Sequence, residues 1–171
     1  MTKQKDDLKI IERLNAASSL QGAVLTAVEL FETALNKLVQ RIFRKDDHAV
    51  KYAVEPLLNS SGPLGNLMVR LKLTFALGII SQEVYQDMEN LVKLRDRLNR
   101  DNREFSFTSP ATLEAIKKIG LVQQAISASE KDADINFDDM YMARQEQVIR
   151  SAFALAIAST CSQLDKETPL F

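Results

Sequence analysis

The sequence predicts an all-α protein, a bundle of several helices with two long ones near residues 18–44 and 138–165. Three observations predict it. Leu occurs 22 times and Ala 18 times in 171 residues, and both are strong helix formers. Apolar residues recur at three and four positions instead of alternating, which is the period of one helix face. Only 5 Gly and 4 Pro interrupt the pattern, mostly where a helix must start or stop.

A first short helix is expected from Asp7 to Ala16, with Leu8, Ile11 and Leu14 as its buried stripe. Ser18 or Ser19 then caps a long helix through Leu20, Val24, Ala27, Val28, Phe31, Leu35, Leu38 and Ile42, which would run about 40 Å if continuous to Arg44. After Asp46 and Asp47, a short helix through Ala49 and Val54 should end near Pro56, because the residue before a proline is pushed out of the helical region. Asn59 to Pro63 reads as a turn, with Pro63 opening a helix from Leu64 to Leu77 that stops at Gly78. Ser81 starts the next helix, which ends near Asn99.

Asp101 to Thr108 is an expected connector pinned by burial of Phe105 and Phe107, and Ser109-Pro110 opens a helix to about Ile119. Gly120 to Asn136 carries the weakest pattern, and Ser127 to Asp134 is expected as a solvated loop. The last helix begins at Asp138 and runs past Leu164. Its Ala- and Ser-rich stretch, Ser151 to Ser162, allows close helix approach and suits either a central position or a homodimer interface.

Composition bounds the function. With 22 basic and 23 acidic side chains and a net charge of −1, there is no overall basic excess to hold nucleic acid. A chain of this length is expected as one domain, residues 1–171. Cys161 is the only cysteine, so no intrachain disulfide can form, and a reducing cytoplasm fits best. The N-terminal residues resemble no signal peptide, and the longest apolar run, Ala152 to Ala158, falls well short of the roughly 20 residues that span a membrane. No cofactor is expected, since no phosphate-loop, dinucleotide or metalloprotease pattern occurs.

Three segments are candidates for function. The turn Gly62-Pro63-Leu64-Gly65-Asn66, with Arg70 and Lys72 on the helix behind it, could hold an anion at a helix start. The segment from Lys93 to Arg103 holds five cations, Lys93, Arg95, Arg97, Arg100 and Arg103, against Asp96 and Asp101, and could meet an acidic partner surface. A helix-turn-helix pattern runs through Leu73, Leu77, Gly78 and Val84, but its second helix opens with Glu83, Asp87 and Glu89. Such charges repel phosphates, so direct DNA binding is not expected. His48 sits between charged residues without evident catalytic partners and reads as a surface residue.

The central segments resemble the MtlR family, the mannitol operon repressors of bacteria and their relatives. The resemblance rests on Ala27-Val28-Glu29-Leu30, Val39 to Asp47, Ala49 to Leu58, Gly62-Pro63-Leu64-Gly65, Val69 to Leu73, Ala76-Leu77-Gly78, Tyr85, Leu94-Arg95, Leu98-Asn99 with Asp101, and Phe107-Thr108, in order over residues 25–108. It implies a cytoplasmic helical protein that lowers expression of mannitol uptake and utilisation genes. Combined with the charge balance, it points to repression through a protein partner, a transcription factor or a sugar-transport component. A small helical enzyme is the alternative. The Arg95 to Arg100 spacing is similar to the Arg-x4-His signature of HEPN-type ribonucleases, with Arg100 in place of the histidine. A lyase or hydratase on an anionic metabolite would use the Gly62 turn with Arg70 and Lys51.

Overall fold

The structure is a computed structural model that describes residues 2–43, 47–101, 103–130 and 138–166. All secondary structure among the described residues is helical. The order is α1 (Thr2–Asn15), α2 (Leu20–Ile42), α3 (Asp47–Ala49), a π-helical turn (Val50–Val54), α4 (Glu55–Leu58), α5 (Leu67–Ala76), α6 (Gln82–Arg100), α7 (Pro110–Lys117), α8 (Gly120–Glu130) and α9 (Asp138–Lys166). No helix among the described residues is long and apolar enough to cross a membrane.

The spine is α2. Ser19 stays extended and its Oγ accepts the Gly22 N–H, which satisfies one of the donors left open at a helix start. Eleven of its residues from Leu20 to Val39 are buried, on a surface too wide for one neighbour, and it packs against both α6 and α9. The second long helix, α9, lies against α1, α2 and α8. Ala152, Ala154, Ala156 and Ala158 are buried within the chain while Leu155 points outward. The small-residue stretch therefore serves internal helix packing.

Each long helix lends an arginine to a neighbour's end. Arg41 of α2 donates to the carbonyls of Leu164 at 2.6 Å and Asp165 at 2.9 Å. Arg150 of α9 donates to the carbonyls of Asn15 at 3.0 Å and of Ala17, closing α1. The last carbonyls of a helix have no partner in their own helix, so a guanidinium serves them well.

Several boundaries differ from expectation. The first helix begins at Thr2, earlier than Asp7, and of its expected stripe Leu14 is fully buried and Ile11 packs partly buried against the core, while Leu8 is 54 % exposed. Helical structure also continues past Pro56. The wide π turn, in which the Glu55 N–H bonds to Val50, puts Pro56 in the first turn of α4, where its missing donor costs nothing. Pro63 lies in the turn instead of opening a helix. Asn66 is the cap of α5, its Oδ1 accepting from Met68 at 2.8 Å. Gly78 stops α5 as expected, with φ of +69°, a conformation that suits glycine.

Residues 120–130, expected to be weakly structured, form α8. Val122 and Ile126, four apart, are buried against α9, and the Gly120 N–H donates to Asp87 Oδ1 of α6 at 3.1 Å. The remainder of the expected loop, residues 131–134, lies outside the described residues, as does Arg44. The connector before α7 follows the aromatic expectation. Phe107 is 1 % exposed and meets Phe153 edge-on at 6.0 Å, with Phe105 half-buried.

Candidate functional site

The charged half of α6 brings several of the candidate residues together. Ser81 caps this helix, with Oγ accepting from Val84, and Val84, Met88, Leu91, Val92, Leu94 and Leu98 fill its inner face. That inner face packs on α2, so Lys93, Arg97 and Arg100 must line up outside, at spacings of four and three. With Asp96 and Asp101 they line a cleft of about 530 Å³. Arg97 and Arg100 also sit in the last turn of α6, where positive charge is favoured by the helix dipole.

The carboxylates beside the cleft already have partners. Arg95 grips Asp96 Oδ1 with Nε at 3.0 Å and a terminal nitrogen at 2.7 Å. Arg103 holds both oxygens of Asp101, the shortest contact being 2.6 Å, while its guanidinium lies over Phe105 at 5.4 Å. That hydrogen bonding holds the Asp101 carboxyl below its ordinary value. Lys93 donates to Glu89 Oε2 at 2.9 Å and Tyr85 donates to Glu89 Oε1 at 3.2 Å. The Lys93 contact, opposed by some desolvation, also pulls the Glu89 carboxyl down. Among the described residues Arg97 and Arg100 form no ion pair. Arg97 donates to the Ala111 carbonyl at 3.5 Å and also helps to lower the Asp101 carboxyl through its charge.

The other candidate residues are not gathered into one site. The amides of Gly62, Leu64 and Gly65 donate to the carbonyls of Asn59, Leu57 and Gly62, and Asn66 is spent as the α5 cap. Arg70 turns inward, 3 % exposed, and meets Glu32 of α2 at 2.5 Å. Lys72 acts instead on Glu89 of α6. Lys51, paired with Arg70 in the lyase alternative, lies over the Tyr52 ring at 5.8 Å. His48 is exposed and contacts the Tyr52 ring at 4.6 Å. The helix-turn-helix pattern exists as α5, Gly78 and α6, but α6 is half-sunk in the core with Glu83 at its open end.

Sequence reasoning missed two contacts that fix the position of α6. Burial pushes the Asp87 carboxyl up while the Gly120 N–H, capping α8, opposes the shift. Asn90 donates to the Lys118 carbonyl at 3.4 Å. Partners 33 and 28 residues apart leave no local pattern by which to find them.

The helical core and the charged stripe of α6 define an all-helical bundle among the described residues. The chain belongs to the MtlR family of mannitol repressors, which it matches over residues 6–165, well beyond the central segments that carry the resemblance. It is 41 % identical over 157 residues to the mannitol operon repressor of Escherichia coli K12, covering 91 % of this chain and 80 % of that protein. It is 26 % identical over 167 residues to a protein of Shigella flexneri named Fumarase E, covering 95 % and 98 %. In three dimensions it is similar to the chain in the X-ray structure of the MtlR–HPr complex from Escherichia coli. The TM-score is 0.84 at 38 % identity, with 95 % of this chain and 99 % of that one covered.

Proposed function

We propose that this protein is a cytoplasmic repressor of mannitol uptake and utilisation genes that acts by binding a protein partner, HPr or a protein like it. The single observation that carries this reading is the likeness, over nearly the whole of both chains, to a relative whose structure was determined in complex with HPr. Electrostatics support it. A chain with a net charge of −1, whose α6 opens with Glu83, has little with which to approach a row of phosphates. The partner surface we propose is the α6 segment of Lys93, Arg95, Arg97, Arg100 and Arg103.

Titration of the purified chain with HPr from the same cell, followed by calorimetry, tests the reading, alongside a mobility shift on the mannitol promoter at moderate salt. HPr binding with no sequence-selective shift is expected. Tight, selective promoter binding by the chain alone, with no HPr heat, would overturn it.

A second reading, hydration of a dicarboxylate, is favoured by the Fumarase E relatives. Incubation with fumarate, read by loss of its ultraviolet absorbance, decides between turnover and none.

A further inference from the structure

We propose that the cleft along the C-terminal half of α6 binds a small dianion, the class containing dicarboxylates and phosphate monoesters, with Arg97 and Arg100 as its clamp. The cleft is locally positive in a chain whose net charge is −1. Its two carboxylates, Asp96 and Asp101, are neutralised from outside by Arg95 and Arg103, and Lys93 shares its charge with Glu89. Lys93, Asp96, Arg97, Arg100 and Asp101 all line the open volume, and among them Arg97 and Arg100 are exposed, one helical turn apart and in no ion pair among the described residues. Each is a planar fork that matches a carboxylate or phosphate with two parallel hydrogen bonds. Two forks so spaced select a ligand with two charges over one with a single charge.

The cleft, about 530 Å³ and open to solvent, has room for a small dianion. The hydrogen bond of Arg97 to the Ala111 carbonyl, at 3.5 Å, is at the limit of such a bond, and its attraction to Asp101 acts without an ion-pair contact, so its fork can turn toward a ligand. The Arg103 fork, already closed on Asp101, shows the same chemistry satisfied within the chain.

The cleft shares its face with the proposed partner surface, but it is tested on the purified chain alone. Failure here therefore leaves the HPr reading standing, and the reverse holds too. The ¹⁵N-labelled protein is titrated at constant ionic strength with succinate, with glucose 6-phosphate, and with acetate as the singly charged control. Saturable shifts confined to residues 93–101 and the start of α7 are expected with at least one dianion. Saturation by succinate identifies a dicarboxylate site and saturation by glucose 6-phosphate a phosphate-monoester site. Acetate should bind at least about tenfold more weakly, and Arg97→Gln with Arg100→Gln should weaken the dianion at least about tenfold, since each removes a charge-assisted pair. Arg100→Gln alone serves if the double variant does not fold. Linear shifts with both dianions, an equal response to acetate, or saturation unchanged by the substitutions would overturn the proposal.

Discussion

Arg70 and Glu32 form a lopsided ion pair, and its two ends should respond differently to neutralisation. The contact is 2.5 Å, with the arginine side chain 4 % exposed and the glutamate 43 %. Arg70 Nε is buried and finds no acceptor, so Glu32 provides the charge that compensates the guanidinium. Glu32→Gln strands that buried charge on a neutral oxygen. Removing one partner of a buried pair costs about 3–5 kcal/mol, and the retained amide acceptor places this case near the lower end, at about 3 kcal/mol. Arg70→Met removes the buried charge itself, fills the same channel with a flexible thioether and leaves Glu32 free to face water. Its cost should stay below about 1 kcal/mol, or become a gain. For a chain of this size each kcal/mol moves the melting temperature by about 2–4 °C. Glu32→Gln should therefore lower Tm by roughly 6–12 °C, and Arg70→Met should change it by less than about 4 °C. Urea unfolding followed by far-ultraviolet circular dichroism gives both free energies, with unchanged m-values as the check on two-state behaviour. A larger loss for Arg70→Met than for Glu32→Gln would refute the assignment of the buried charge as the costly element.

Further outcomes are expected. Phe107→Ala removes a fully buried ring that meets Phe153 and lies 5.8 Å from the Arg150 guanidinium, so calorimetry should show a loss of about 3–5 kcal/mol. Gly62→Ala puts a methyl carbon 2.2 Å from the Pro56 carbonyl oxygen and should open the turn at a cost above about 1 kcal/mol. Gly120→Ala, with nothing within 4 Å, should be neutral or stabilise by up to about 1 kcal/mol in denaturant melts. Burial pushes the Cys161 thiol from 9.0 up to about 12, so a thiol reagent at pH 8 should label it only on unfolding. Because the folded state keeps that proton to higher pH than the unfolded chain does, the thiol's stabilising contribution is complete below pH 9 and fades as pH rises toward 12. Rapid native labelling would contradict the burial.

Local patterns decide what the chain states about itself. The 3.6-residue period of Leu and Ala, Ser19 and Ser81 as caps and Gly78 as a stop mark α2, α5 and α6 because each signal acts within one turn of helix. The cation stripe of Lys93, Arg97 and Arg100 was legible for the same reason, since spacings of four and three place side chains on one face. Tertiary packing alone decided the rest. Residues 120–130 became a helix only because Val122 and Ile126 found α9 and Asp87 reached the Gly120 amide. Arg70, drawn from sequence into an anion site, was taken by Glu32 from 38 residues away. Which arginines of α6 stay open was settled by Asp96 and Asp101 choosing Arg95 and Arg103. Propensity and period are properties of short windows, whereas the partner of a charge depends on which helices pack together. That packing is selected by the free energy of burying the whole core, to which every element contributes at once.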